Sequence, residues 1–159
     1  MERSRLKWMG PLTLGFVALA GLALAQTPPS PARIGELINT IRTSQILGDR
    51  YIAAQELPNV TSQIEPTAIS DANVTAITAL LSSQEIFVVH YAALSLASMG
   101  MRAARAIPQL QAALGKVRET RARGGFQVNP QGAEEGLCLA LDRTGAPQPP
   151  DCENGQYRY

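Results

Sequence analysis

The stretch Gln84–Leu114, QEIFVVHYAALSLASMGMRAARAIPQLQAAL, decides the fold of this chain. Over Ile86–Met101 it carries no charged residue, and apolar side chains lie all around the helix instead of along one stripe. A helix of this kind must be covered by neighbours on more than one side. A glycine then interrupts the pattern, and Pro108 stands where a second helix can begin. The stretch therefore predicts two antiparallel helices, hinged at Met99-Gly100, in the middle of a helical stack.

The residues of this stretch follow a definite order: an apolar position, Ala-Ala, a leucine, a glycine at the turn, and Ala-Ile-Pro-x-Leu at the start of the second helix. They are Val88, Ala92-Ala93, Leu96, Gly100 and Ala106-Ile107-Pro108-Gln109-Leu110. This order resembles one unit of a HEAT-like repeat, in particular the short variety of phycobilisome lyases. The resemblance implies a short α-α superhelix that acts as a scaffold and binds a partner through its surface.

Many HEAT-like units also carry an Asp before the first helix and an Arg just after its first apolar position. These two residues connect successive units by polar contacts. In the central stretch neutral residues occupy both places, with Val89 following Val88. We therefore expect this unit to be joined to its neighbours by apolar packing.

Two weaker copies of the unit flank the central one. Residues 53–57 align with residues 92–96 at a spacing of 39, and residues 141–145 align with residues 96–100 at a spacing of 45. Both values are at or close to the ~40 to 47 residues of HEAT and armadillo units. The sequence therefore predicts about three units.

The other helices follow from apolar spacing and from the positions of Gly, Pro and Asp. They are expected near Ile34–Leu47, from Asp49 to about Leu57 before Pro58, over Ala72–Leu81 after a capping Asp71, and from about Ala133 to Arg143. Residues 59–70 and 118–132 are expected to be loops. Strands have no comparable signal, so the predicted fold class is all-α, with the repeat domain over residues 33–146.

The first 25 residues have the features of a secretory signal peptide. Three basic residues precede an apolar run over residues 12–22, and Ala23-Leu24-Ala25 is a small-x-small cleavage signal before Gln26. A retained membrane anchor is the alternative, but this run is short and broken for a span that needs ~20 residues. Cleavage predicts a periplasmic or secreted protein with no stable membrane span, followed by a Pro-rich linker over residues 26–32.

Charge is unevenly distributed along the chain. Removal of the signal leaves 11 of 14 basic and 12 of 13 acidic residues, a net charge of −1 that argues against a nucleic-acid binder. Residues 102–123 alone sum to +5. Within them Arg118, Arg121 and Arg123 fall in the expected loop, and guanidinium forks match carboxylates and phosphates. These three are candidate partner-binding residues; the alternative is a solvated helix face and loop.

Signals of catalysis are scarce. His90 is the single histidine, and no His, Cys or carboxylate stands three or four residues from it. Glu134-Glu135 begin a predicted helix, where negative charge favours the helix dipole. Gly124-Gly125 lacks the context of a phosphate-binding loop. We therefore predict no catalytic, metal or cofactor site and no cofactor, with His90 as a packing or surface residue.

The two cysteines, Cys138 and Cys152, point to a disulfide, because an even count in an exported chain favours pairing. The bond would hold the polar tail, residues 147–159, over the end of the stack. The alternative is a buried free Cys138 and a reactive Cys152.

The function expected from the sequence is an exported, non-catalytic scaffold that mediates protein–protein interaction. The alternatives are a small lyase-like or other enzyme, or an envelope protein that binds an anionic polymer. Phycobilin-lyase activity does not suit an exported chain, which would not meet cytoplasmic phycobiliproteins. Asn59 and Asn73 match the glycosylation acceptor pattern, which matters only in a secretory pathway that has the transferase.

Overall fold

The computed structural model describes residues 29–124, 130–147, 149 and 152, and those residues contain no strand. The predicted signal peptide and the start of the linker lie outside them. The α-helices are α1 Pro31–Thr43, α2 Leu47–Ser62, α3 Asp71–Leu80, α4 Ile86–Met99, α5 Ile107–Ala122 and α6 Pro130–Arg143. Two 3-10 segments, Pro66–Ala68 and Gly100–Ala106, precede α3 and α5. The predicted all-α class is therefore confirmed.

Helix α4 is the centre of the fold, packed between α2 and α6. In addition α1 packs on α2, α3 on α4, and α5 on α6, so the chain forms three consecutive helical hairpins. The uncharged sequence of α4 explains its place, because its side chains are buried against three neighbouring helices. Leu57, Leu96 and Leu141, which the alignment superimposes, are all fully buried in α2, α4 and α6. The superhelix and the family resemblance stay predictions.

The pairing predicted for the central stretch is wrong. Both of its helices are present, but α4 belongs to the second hairpin and α5 to the third, where it packs mainly on α6. Gly100 does end α4, with φ of +55°, a conformation that favours glycine. The seven residues Gly100–Ala106 then form a 3-10 segment instead of a tight turn, and this longer connection separates α5 from α4.

Several predicted boundaries also move. Helix α1 begins at Pro31, inside the predicted linker, because Ser30 Oγ caps it by accepting from Arg33 N at 3.2 Å, and proline is favoured at the first helical position. It ends at Thr43, and Leu47 begins α2 instead of ending α1. Helix α3 is capped by Ser70 and not by Asp71, since Ser70 Oγ accepts from Asn73 N at 3.2 Å.

Two helices continue where loops are expected. Helix α2 runs through Pro58 to Ser62 because the turn after the proline buries Val60 and Thr61, and Thr61 Oγ1 also accepts from Ser98 Oγ at 2.9 Å. Helix α5 runs to Ala122 and α6 starts at Pro130. The connection predicted over residues 118–132 is therefore limited to residues 123–129.

Within the described residues, one helical stretch, Ile86–Ala122, is long and apolar enough to cross a membrane by length and composition. Half of its most apolar window is buried inside the fold. A core helix passes the same test, so the stretch is weak evidence for a membrane span.

Candidate interaction surface

Three aromatic rings from α2 and α4 form a cluster on the outside of the fold. The ring centroid of Tyr51 lies 5.4 Å from that of Phe87 and 6.1 Å from that of Tyr91. The planes are inclined by 58° and 79°, which is the tilted to edge-on geometry that aromatic pairs prefer. Tyr51 is 43% exposed, and the rings of α4 are half-buried. The cluster is therefore part of the surface as well as of the packing between helices.

Aliphatic side chains extend this cluster along both helices. Leu47, one turn before Tyr51 on α2, is 57% exposed. Leu94, one turn after Tyr91 on α4, is half-buried. We call Leu47, Tyr51, Phe87, Tyr91 and Leu94 the aromatic surface. Continuous exposed apolar surfaces of this kind mark interaction sites more often than isolated exposed side chains do.

The order of residues in α4 determines which side of the helix carries the aromatic surface. Phe87 and Tyr91 are four residues apart and so lie on the same side of the helix. Val88 and Ala92, the next residue after each of them, point about 100° further round and are buried. One side of α4 therefore packs into the core, while another side carries the rings of Phe87 and Tyr91 at the surface.

An ion pair holds α2 in position beside α4. Arg50 Nε donates to both carboxylate oxygens of Glu85 at 3.1 Å, and its Nη2 also donates to Glu85. Arg50 Nη1 donates to the Ser44 carbonyl at 2.8 Å, and the hydrogen bond to Glu85 raises the pKa of Arg50. We expected the central unit to be joined to its neighbours by apolar packing, and for this interface the expectation is wrong. Glu85 directly precedes α4, and its basic partner Arg50 comes from the preceding hairpin. Tyr51, next to Arg50, is thereby fixed against the rings of α4.

The aromatic surface carries no charge of its own. Burial, with a hydrogen bond to Tyr51, raises the pKa of Tyr91 to about 12. The two hydroxyl oxygens lie 3.5 Å apart. Tyr91 therefore stays neutral at every physiological pH.

His90 holds α4 against α6. Its Nδ1 lies 2.7 Å from the carbonyl oxygen of Gly132, and because a carbonyl only accepts, Nδ1 carries the proton. A Cβ atom at Gly136 would lie 3.1 Å from Nδ1, so the glycine lets the imidazole approach the helix backbone. The structure thus gives His90 a packing role between two helices.

We expect His90 to make the protein less stable in mild acid. Burial lowers the pKa of His90 below its ordinary value of 6.5, although the Gly132 hydrogen bond and the charge of Glu135 act in the opposite direction. Near and below pH 6.5 the unfolded chain therefore binds more protons than the folded one, so the free energy of unfolding decreases as the pH is lowered. Urea unfolding at pH 7.5 and 5.5 measures this loss, which should be smaller in His90→Asn, whose side-chain amide can still donate to Gly132. An equal loss in both proteins would show that other groups cause it.

The candidate arginines lie on or directly after α5. Arg118 Nε donates to Glu134 Oε1 at 2.8 Å, and Arg121 Nη1 lies 2.6 Å from Glu134 Oε2. Arg123 Nη2 lies 2.5 Å from Glu119 Oε1. The predicted loop position is wrong for the first two, because this last turn of α5 has no helix breaker and is paired with α6. Their role in partner binding stays a prediction.

The disulfide between Cys138 and Cys152 is present, as predicted, with the two Cα atoms 5.6 Å apart. Both residues are buried, and Arg118 Nη2 lies 3.8 Å from Cys152 Sγ. The bond therefore returns the chain after α6 to the interface of α5 and α6. Residues 148, 150, 151 and 153–159 of the predicted tail lie outside the described residues.

No group of three or more His, Cys, Asp or Glu side chains among the described residues is arranged to hold a metal ion. Two clefts of about 560 Å³ are open, and one of them lies between the ends of the first two hairpins. Its acid and one of its bases, Glu85 and Arg50, are paired with each other. This cleft is therefore a gap between packed helices in which the acid is already paired with a base.

Comparison with protein-family models, with curated proteins and with solved structures finds no match to this chain. Reasoning from the sequence singled out the arginines and missed Tyr51 and Tyr91. The signal that could have found them is the i, i+4 pair Phe87 and Tyr91 in a helix without charge.

Proposed function

We propose that the protein is a non-catalytic scaffold that binds a partner protein through the aromatic surface of α2 and α4. The observation that carries this proposal is the ring cluster of Tyr51, Phe87 and Tyr91, which is accessible to solvent although each ring is already in contact with another. Aromatic side chains dominate the binding energy of protein interfaces. Rings fixed by their neighbours also lose little conformational entropy on binding.

The framework beneath the surface suits this role. Helix α4 is held from both sides, by α2 through the Arg50–Glu85 pair and by α6 through His90. A partner would therefore meet a preformed surface and not a loop that must first become ordered. We further propose that the protein acts outside the cytoplasm, in a periplasm or secreted. The Cys138–Cys152 disulfide is compatible with such an oxidising compartment.

The experiment compares partner recovery by the wild type and by a Tyr51→Ser/Tyr91→Ser variant. Each protein is purified from the envelope of the native cell, and associated proteins are quantified by mass spectrometry. We expect the variant to recover at least about tenfold less of the specific partner, since central aromatic residues at interfaces contribute 2 kcal/mol or more.

The matched control is Met101→Ser, because Met101 is 69% exposed and follows Gly100 at the other end of α4. Met101→Ser should recover the partner as the wild type does. Circular dichroism and thermal unfolding verify that all three proteins are folded. If the Tyr51→Ser/Tyr91→Ser protein is folded and still recovers the partner at wild-type level, the aromatic surface is not the binding site.

A further inference from the structure

A small cavity lies where the turn after α3, the first turn of α4 and the second half of α5 meet. Its volume is about 90 Å³. Helix α5 packs mainly on α6, so it leaves this gap beside the start of α4. The cavity is separate from the two open clefts described above, which are both lined by residues of α1.

The walls of the cavity are largely apolar. Leu81 from the turn, Val89 from α4, and Ala113 and Val117 from α5 line it, and all four are buried. Because Ala113 ends at its Cβ atom, it leaves space that a larger side chain would occupy. An apolar interior of this kind stays dry and can bind small apolar groups.

The rim of the cavity is polar. Lys116 and Gln84 are exposed, and Ser83 and Thr120 are half-buried. Lys116 and Thr120 lie three and seven residues after Ala113, so they share the side of α5 that borders the cavity. A lysine in such a place lays its aliphatic chain along apolar surface and keeps its ammonium group in solvent. The entrance thus offers a cation and an amide donor.

The charge at the entrance is positive and unpaired. Lys116 is the only charged residue among the described residues that line the cavity. It forms no ion pair with any residue that the structure describes. The acids next to the rim in sequence are already paired, Glu85 with Arg50 and Glu119 with Arg123. A ligand that enters here therefore meets one free ammonium group and no free carboxylate.

We propose that this cavity binds a short-chain carboxylic acid in its ionised form. The aliphatic chain fills the space between Val89, Ala113 and Val117, where burial of apolar surface is favourable. The carboxylate stays at the rim and accepts hydrogen bonds from Lys116 and from the amide of Gln84. With ~30 Å³ for a group the size of a water molecule, the cavity has room for roughly three to four carbon atoms.

Size and charge select this ligand over related compounds. A cavity of about 150 Å³ is needed to hold benzene, so one of about 90 Å³ excludes an aromatic ring. An amine of the same length would bring a like charge to Lys116, and an alcohol would lack the ion pair. The short aliphatic carboxylate therefore matches both the walls and the rim.

The cavity is independent of the aromatic surface. Val89 lies two residues from Phe87 and two from Tyr91, which is about 200° around the helix. The cavity and the rings are therefore on nearly opposite sides of α4. A bound acid leaves the aromatic surface free for a partner protein.

The test titrates pentanoate into the purified, isotope-labelled protein and follows the backbone amide shifts by NMR. Pentan-1-ol and pentylamine, which have the same chain without the negative charge, are the matched compounds. We expect saturable shifts concentrated at the residues that line the cavity. Pentanoate should bind at least about threefold more tightly than either matched compound, the size of effect that a solvent-exposed ion pair gives.

Two variants separate the roles of the rim and the walls. Lys116→Gln should weaken pentanoate by at least about threefold and leave pentan-1-ol unchanged. Ala113→Leu places three more carbon atoms in the cavity and should weaken both compounds by at least about tenfold. The control Arg42→Gln removes the same charge from an exposed residue of α1 and should change pentanoate binding by less than about 1.5-fold.

Shifts that do not saturate, or that spread evenly over the protein, would overturn the proposal. So would equal binding of pentanoate and pentan-1-ol, or equal effects of Lys116→Gln and Arg42→Gln. A folded Ala113→Leu protein that binds like the wild type would also contradict it. Because Lys116 is an exposed residue, Lys116→Gln keeps the test decisive even if Ala113→Leu does not fold. The Tyr51→Ser/Tyr91→Ser protein should bind pentanoate like the wild type, so this result does not depend on the proposed function.

Discussion

Replacing Leu96 by Ala is expected to lower the free energy of unfolding by about 2 to 5 kcal/mol. Leu96 is 0% exposed and lies in the middle of α4, the helix on which α2, α3 and α6 all pack. The truncation removes buried apolar area and leaves a cavity, and both effects are unfavourable. Urea unfolding followed by circular dichroism measures the change.

Leu94→Ala is the matched control, because it removes the same atoms two residues away from a half-buried position. It should cost about 1 kcal/mol or less. If the two variants lose equal stability, α4 is not the centre of the core, and the arrangement of three hairpins around it is wrong.

Removing the disulfide is expected to cost about 3 kcal/mol of stability, the chain-entropy value for closing a loop of this size. Cys138 and Cys152 are separated by 14 residues. Without the bond, the unfolded chain gains freedom, and the segment after α6 loses its attachment beside Arg118. Urea unfolding of the Cys138→Ala/Cys152→Ala protein gives the loss.

The control is wild-type protein unfolded in the presence of a thiol reductant. The reductant breaks the disulfide without replacing either cysteine side chain. The reduced protein should show a loss of similar size. A double variant as stable as the oxidised wild type would show that the bond contributes nothing to the fold.

The helices of the core were predictable because their signals are local. The uncharged stretch over α4 predicts a buried central helix, and the alignment of Leu57 and Leu141 with Leu96 predicts equivalent positions, which are all buried. The pairing of α4 with α5 was wrong because a short repeat pattern does not say whether the second helix returns on the first or packs on the next. The 3-10 segment after Gly100 has no clear sequence signal.

Helix ends were predicted less well because tertiary contacts decide them. Pro58 normally ends a helix, but burial of Val60 and Thr61 stabilises one more turn. Arg118 and Arg121 were placed in a loop because apolar spacing does not continue a helix beyond Val117. Their partner Glu134 is in α6, the other helix of the same hairpin, and such a pairing is not visible in local sequence.

The candidate site was only partly predictable for the same reason. The resemblance predicts binding through a surface of the scaffold, but it does not predict where that surface lies. Tyr51 is 40 residues from Tyr91, and only the packing of α2 on α4 brings their hydroxyl oxygens to 3.5 Å. The disulfide was predicted correctly because a chain with two cysteines allows a single intramolecular pairing.

The central claim, that the aromatic surface of α2 and α4 binds a partner protein, is tested most directly by site-specific photo-crosslinking in the native cell. A photoreactive phenylalanine analogue replaces Tyr91 in one protein and Gln111, an exposed residue of α5, in another. We predict a discrete crosslinked partner from position 91 and none of that mass from position 111. A folded protein that gives no crosslink from position 91, or the same product from both positions, would contradict it.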